Sequence, residues 1–198
     1  MSKVTTGASM SLDGYIAGPN ESGFEHLFQW YGNGDVSVPT THPEMTLRLT
    51  EPSAAHWRAM LDQTGALIVG RKLFDSTDAW GGNHPMGTPV VVLTHSVPEG
   101  WPREGAPFTF VTTGIADAVA AARDLAGDRN VGVNGGTIAR QCLEAGLLDE
   151  VWVDLVPVLL GAGTPFFGHL AGGPVPLDGP VSVIEGDRVT HLRYLVRR

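Results

Sequence analysis

Six short apolar runs set the rhythm of the chain: "KVTTGASMSL", "ALIVG", "PVVVLT", "FTFVTT", "NVGVNG" and "EVWVDLVPVLL" are rich in Val, Ile, Phe and Thr and bounded by Gly, Pro or charge. Such runs are strands, several of them central. Between them lie segments with helical spacing. "SAAHWRAMLDQTG" starts from a plausible cap, Ser53, while "IADAVAAARDLAGD" carries Asp117 in its first turn and Gly127 as its stop. "GTIARQCLEAG" gathers Ile138, Cys142 and Leu143 on one side and ends at Gly146. Strands alternating with helices imply right-handed crossovers and an α/β sheet with helices on both faces.

The last residues break this alternation. "VSVIEGDRVTHLRYLV" reads as two strands around Gly186 and Asp187, a two-residue hairpin signal. Leu192, Tyr194 and Val196 alternate with His191, Arg193 and Arg197, as in a strand with one face in water. The expected sheet is mixed and mostly parallel, with an antiparallel C-terminal hairpin.

The stretch from Pro19 to Pro52 predicts no element. Its prolines and glycines break every period, yet Phe24, Phe28, Trp30 and Tyr31 give it an aromatic cluster. Long loops inside a compact domain are commonly lids or pocket walls, whereas a disordered insertion would be poor in aromatics. A lid at about 19–52, with Trp30 in a pocket wall against substrate, is the expectation. Trp80, in the glycine-rich "DAWGGNHPMG", could face the same cleft.

Composition narrows the class. With 42% of 198 residues hydrophobic and 17% charged, the chain can bury one sizeable core, so a single domain over 1–198 is expected. A net charge of −8 with only 13 Lys and Arg leaves no basic stripe for nucleic acid or an anionic membrane surface. Cys142 is the sole cysteine, which excludes an intrachain disulfide and points to a reducing compartment. "MSKVTTGASMSLDGYIAG" shows no leader pattern and no apolar run approaches spanning length, so a cytoplasmic location is expected.

Chemistry concentrates where strands hand over to helices. In "VGVNGGT", Gly135 and Gly136 allow a sharp turn and close approach of a ligand to the backbone, just where unpaired helix amides can hold a phosphate. A Gly-Gly turn before a helix is by itself more often structural. In "ALIVGRKLF", Gly70 is followed by Arg71 and Lys72, cations at a helix start that ask for an anion nearby. The strand in "PVVVLTHS" ends in Thr94, His95 and Ser96, donors suited to a phosphate oxygen. Three strand ends offering donors are what a dinucleotide across the carboxyl edge of an α/β sheet requires.

The order "ASMSLDGYIAG", "LIVGRKLF", "VVVLTHS", "GVNGGTIARQCLEAGLLDEVWVDLVPVLLGAGTPFF" resembles the dihydrofolate reductase-like superfamily, and in particular the C-terminal reductase domain of the bifunctional riboflavin-biosynthesis deaminase/reductase and its stand-alone relatives. The resemblance runs from residue 4 to the C-terminus apart from the loop region. It implies a three-layer reductase fold binding NADPH in extended form. Gly135, Gly136, Thr137 and Ile138 would lie along the pyrophosphate, with Asn134 also at the cofactor and Gly70, Arg71 and Lys72 at the phosphates. Thr94, His95 and Ser96 would reach the adenosine side and its 2′-phosphate, and Ala8, Ile16 and Ala17 would flank the nicotinamide.

The reaction implied is hydride transfer to a C=N or C=O centre of a small heterocycle. The family default is reduction of 5-amino-6-(5-phosphoribosylamino)uracil; a pterin, a specialised metabolite or a non-catalytic nucleotide-binding module are the alternatives. Asp13, in "SLDG", falls where the riboflavin reductases carry an acid near the substrate, and is the candidate for substrate contact or proton relay; it could equally cap the turn into Gly14. Leu73 and Asn134 depart from the pattern: a hydroxyl is common two residues after the arginine in dihydrofolate reductases, and an acid before the glycine pair in many riboflavin reductases.

Seven scattered histidines show no metal-ligand spacing, and C-x-x-C and G-x-S-x-G are both absent, so neither a metal site nor serine hydrolase chemistry is expected. Apolar surface on "EVWVDLVPVLL" and the terminal hairpin predicts a homodimer.

Overall fold

Period-two alternation decides which helix covers which face of the sheet. In the computed structural model, which describes residues 2–197, the strands are β1 Val4–Ser11, β2 Tyr15–Ala17, β3 Val36–Val38, β4 Leu47–Leu49, β5 Thr64–Gly70, β6 Val90–Leu93, β7 Phe108–Val111, β8 Asn130–Asn134, β9 Glu150–Val156, β10 Thr164–Pro165, β11 Leu177–Gly186 and β12 Val189–Val196. The helices are α1 Phe24–Leu27, α2 Glu51–Gln63, α3 Arg71–Ser76, α4 Ile115–Ala126 and α5 Thr137–Glu144.

Eight strands form one sheet in the order β11-β12-β9-β1-β8-β5-β6-β7. β12 runs antiparallel to both β9 and β11, and the remaining pairings are parallel. Ile68, Val91, Val133 and Val153 join Val119, Ala122, Ile138 and Cys142 in a core under α4 and α5. The alternate residues Val69, Val90 and Val92 meet Phe74 and Phe108 on the other face, and Val156 and Val189 meet Trp30 and Ala54. Each Val, Ile or Leu so buried contributes roughly 1.5–3 kcal/mol, which makes this alternation the main determinant of register. Cys142 lies inside the α5 core, and burial pushes its thiol up to about 12.

The mixed sheet and the three long helices are as expected; the corrections lie where distant segments meet. Residues 19–52 are not element-free: α1 and two short 3-10 turns at 19–21 and 29–32 precede a β3–β4 hairpin. Trp30, Val38, Leu47 and Leu49 from this stretch build a second core with α2 and the ends of β9 and β12, and Leu27 is fully buried beside them in sequence. Their apolar spacing has no period because their partners are remote in sequence. α2 begins at Glu51 with Pro52 in its first turn, so Ser53 is not the cap but a buried residue of the helix. The hairpin turn lies at Asp187 and Arg188, between the paired Gly186 and Val189.

On β12 the expected polar face is only partly in water: Arg197 is exposed and Arg193 half-buried. His191 is 1% exposed, roofed by α2 and Trp30. β9, expected to offer apolar surface, is enclosed between β12 and β1; the exposed apolar residues of this region are Leu177, Val181, Val183 and Leu195 of the hairpin, with Leu159 beyond β9.

Candidate active site

Parallel strands β1, β8, β5 and β6 end on one edge, and the loops after them carry most of the residues singled out in the sequence. At the centre, β8 turns into α5 through Gly135 and Gly136. Gly136 has φ +77°, a conformation that favours glycine, and its N–H donates to Phe166 O at 2.6 Å. A Cβ on Gly135 would stand 3.0 Å from Ile16 Cδ1 and 3.6 Å from Ala8 Cβ. Ala8, Ile16 and the glycine pair therefore meet at one point, with Thr164 and Phe166 closing the other side. Ala17 continues this wall, paired with Thr164.

Gly70 stands next in line. A Cβ there would lie 3.4 Å from Ile138 Cγ1, so the starts of α3 and α5 are neighbours. Arg71 gives its Nε to both oxygens of Asp75 at 2.8 Å and its Nη1 to Ser96 O at 3.2 Å. Thr94 Oγ1 also donates to Ser96 O, at 2.9 Å, so Arg71, Thr94 and Ser96 form one unit, with His95 exposed between the latter two. Lys72 reaches Glu21 Oε1 at 2.7 Å. The anions requested by these cations are thus carboxylates of the chain itself. Asn134 sits at the end of β8 opposite Gly7, Thr137 is exposed, and Leu73 packs into the core under α3.

Asp13 does not join this group. Ser11 Oγ donates to its Oδ1 at 2.6 Å, and the amides of Leu160 and Gly161 donate to Oδ1 and Oδ2 at 3.1 and 2.7 Å. These bonds, the Ser11 hydroxyl foremost, lower its pKa and keep it ionised. It ties the 158–163 loop to the end of β1, and as placed it has no proton to give.

Trp30 is likewise displaced from its expected place. It is 1% exposed and its indole N–H donates to Ser9 Oγ at 3.0 Å, on the α2 side of β1. It touches Tyr31, Trp57 and His191 edge-on. Burial, and then the Asp154 charge, raise the Tyr31 pKa well above the ordinary phenol value. Trp80 packs with Phe108 and His84 in the core under α3, away from the glycine pair.

The group that sequence spacing missed lies beside Trp30: His56 of α2, Asp154 of β9 and His191 of β12, whose side-chain nitrogens and carboxylate converge. Burial alone would raise the pKa of Asp154, but hydrogen bonds from His191 and His56 outweigh it and hold the carboxyl at about 2. One signal was available, a lone carboxylate inside the apolar run "EVWVDLVP". Thr164, Phe166 and Glu21 were also missed, because they arrive from separate loops.

A cavity of about 400 Å³, lined in part by Lys3, Asp62, Arg129 and Glu150, opens at the opposite, amino edge of the strands. Its charges are of both signs, and Lys3 is already paired with Glu150 at 2.6 Å.

Residues 2–172 match the model of the RibD C-terminal domain. The chain belongs to that family. The family is the reductase domain of riboflavin biosynthesis. A Shewanella sp. PV-4 protein described as a riboflavin biosynthesis protein superposes with a TM-score of 0.73 at 22% identity, covering 99% of both chains. RibD of Acinetobacter baumannii superposes over all of this chain and 58% of its own, at 15% identity and a TM-score of 0.63. Dihydrofolate reductase from Enterococcus faecalis, solved with NADP(H) and RAB-propyl, gives 0.56 at 12% identity over 99% and 97% of the two chains. These likenesses establish a dihydrofolate reductase-like fold. No curated protein matches the chain significantly. Among the described residues no helix is long and apolar enough to cross a membrane.

Proposed function

We propose that the protein is an NADPH-dependent reductase that acts on a small, polar heterocycle, with the 5-amino-6-(5-phosphoribosylamino)uracil of riboflavin biosynthesis as its first candidate substrate. The observation that carries this is the convergence of Ala8, Ile16, Gly135 and Gly136 at the start of α5, with Gly70 and Ile138 alongside. A cradle that a single Cβ would narrow at Gly135, next to free helix amides, fits a pyrophosphate. When bound, the nicotinamide cofactor supplies the hydride.

The chain's own part is positioning. Gly135, Gly136, Thr137 and Ile138 hold the pyrophosphate; Ala8, Ile16 and Ala17 bound the ring space; Arg71, Lys72, Thr94, His95 and Ser96 take the remaining phosphates. Arg71 and Lys72 are engaged by Asp75 and Glu21, so an incoming phosphate competes with carboxylates for them. Because Glu21 belongs to the 19–52 stretch, its pairing with Lys72 latches that stretch to α3 as the edge of a lid. Trp30 forms the floor beneath it rather than a wall.

A homodimer in a cytoplasmic setting completes the proposal. The outer strand β11 presents Leu177, Val181 and Val183 to solvent beside Leu195, an apolar strip on a sheet edge. Sedimentation should give twice 21.0 kDa for the wild type and a smaller species for Val183→Lys.

Titration with NADPH and NADH, followed by tryptophan fluorescence, tests the central reading. NADPH should bind more tightly, Arg71→Ala should narrow the preference, and oxidation of NADPH should require the uracil substrate. Absence of binding by either nucleotide would remove the reading, and binding without turnover across pyrimidine and pterin acceptors would leave a nucleotide-binding module.

A further inference from the structure

His56, Asp154 and His191 come from α2, β9 and β12, and each offers one ligand atom within 4.8 Å of the other two. His191 Nδ1 lies 2.6 Å from Asp154 Oδ1, and His56 Nε2 lies 3.4 Å from the same oxygen. The far nitrogen of His191, Nε2, is 2.9 Å from Ser53 Oγ, and that hydroxyl in turn accepts from Thr50 Oγ1 at 3.2 Å. We infer that His56, Asp154 and His191 form a site for a single divalent transition-metal ion, zinc by its donor set.

Three arguments support this. Two imidazole nitrogens and one carboxylate oxygen are a common zinc set, and bonds of about 2.0–2.2 Å put tetrahedral ligand atoms about 3.3 Å apart. The 3.4 Å between His56 and Asp154 already has that spacing, while the 2.6 Å hydrogen bond from His191 Nδ1 must open, Asp154 drawing back, as that nitrogen gives up its proton to the ion's place. A ligating histidine characteristically gives its other ring N–H to a fixed partner, and Ser53 stands where that partner belongs, positioned by Thr50. The site is also anchored on one side and open on the other. His191 is 1% exposed, whereas the side chains of His56 and Asp154 keep 14% and 17%, which leaves a coordination position toward solvent.

Charge points the same way. Among the described residues the ion pairs of the Asp154 carboxylate are with the two imidazoles and include no lysine or arginine, inside a shell of Trp30 and Trp152. A half-buried anion in that setting favours a cation held by geometry. The two rings are stacked at 4.2 Å and 20° from parallel, so their lone pairs do not yet meet. Seating the ion turns the part-exposed His56 ring about its Cβ–Cγ bond while His191 stays fixed by Ser53. The bound ion then ties α2 to β9 and β12 across the second core.

The test is titration of the whole, chelator-treated protein with Co²⁺, read as visible d–d absorption, followed by displacement with Zn²⁺. One equivalent should bind, bleach on adding zinc and raise the thermal midpoint. Asp154→Asn and His56→Gln should each lose the absorption, while His26→Ala and His169→Ala, which alter exposed histidines, should keep it. Circular dichroism confirms folding, and His56→Gln, a change on α2 and not within the sheet, remains informative if Asp154→Asn does not fold. A featureless titration of the wild type, or equal binding by His56→Gln, would overturn the inference. Nucleotide titration of the metal-free protein is independent, so failure of the reductase reading is distinguishable.

Discussion

Ile16 Cδ1 sits 3.0 Å from where a Cβ on Gly135 would be, so the side chain after β1 and the backbone after β8 share one narrow space. The neighbour is the end of a flexible side chain, and Gly135→Ala should fold with Ile16 displaced slightly. Its affinity for NADPH should fall about tenfold, equivalent to roughly 1.4 kcal/mol. Gly135→Asp, which adds a charge like that of the ligand, should abolish binding in the same fluorescence titration. Unchanged affinity in both variants would reduce the glycine pair to a turn.

Asp13 acts on the loop that follows β9. Asn at this position offers an amide where the Gly161 N–H now meets a carboxylate oxygen, so Asp13→Asn should free that loop. Hydrogen exchange at the Leu160 and Gly161 amides should accelerate by about tenfold, in line with the loss of charge-assisted bonds. Since the fold lowers the Asp13 pKa, its contribution is present above the unfolded carboxyl pKa and is lost as pH falls through the folded one. If Asp13→Asn instead abolished turnover with exchange unchanged, Asp13 would be a substrate contact.

His84 supplies an acid-sensitive point. Burial, and then the neighbouring His42, push its pKa from 6.5 down to about 4, and its Nδ1 accepts the Met86 N–H at 3.2 Å, which only the neutral ring can do. The unfolded chain therefore binds the extra proton first. Stability is full above pH 6.5 and falls as pH drops toward 4, by about 3 kcal/mol for this group. Thermal unfolding at pH 7 and pH 4.5 should show a drop that is smaller in His84→Gln. An equal drop in both proteins would assign the acid sensitivity elsewhere.

Trp30 and Ser9 give a prediction for the second core. Trp30→Phe keeps most of the volume but leaves the Ser9 hydroxyl without its indole donor, and should cost about 1–2 kcal/mol. Trp30→Ala opens a cavity among Val38, Leu49 and Val189 and should cost about 3–5 kcal/mol. Urea denaturation measures both. Equal costs would mean that the indole N–H, not the packing, holds the segment.

What could be read from the chain followed the range of the interactions. Runs such as "ALIVG" and "PVVVLT" declare their strands because the signal is local, and the glycines at 70, 135 and 136 mark helix starts for the same reason. The meeting of Gly135 with Ile16 lies 119 residues apart in sequence, and only family resemblance anticipated it. Trp30 looked like a loop residue because its partners, Ser9, Trp57 and His191, lie on three separate elements. His56, Asp154 and His191 follow no ligand spacing, since a sheet that brings β9 beside β12 supplies the proximity instead.

The buried thiol of Cys142 has a practical consequence. With its side chain enclosed in the α5 core and its pKa pushed to about 12, it stays protonated and shielded from alkylating reagents near neutral pH. The native protein is therefore a clean background for site-directed labelling: a cysteine introduced at an exposed position such as Glu25 or Val181 can carry a fluorophore or spin label by itself, and the distance between the 19–52 stretch and β11 becomes measurable without first removing the natural cysteine.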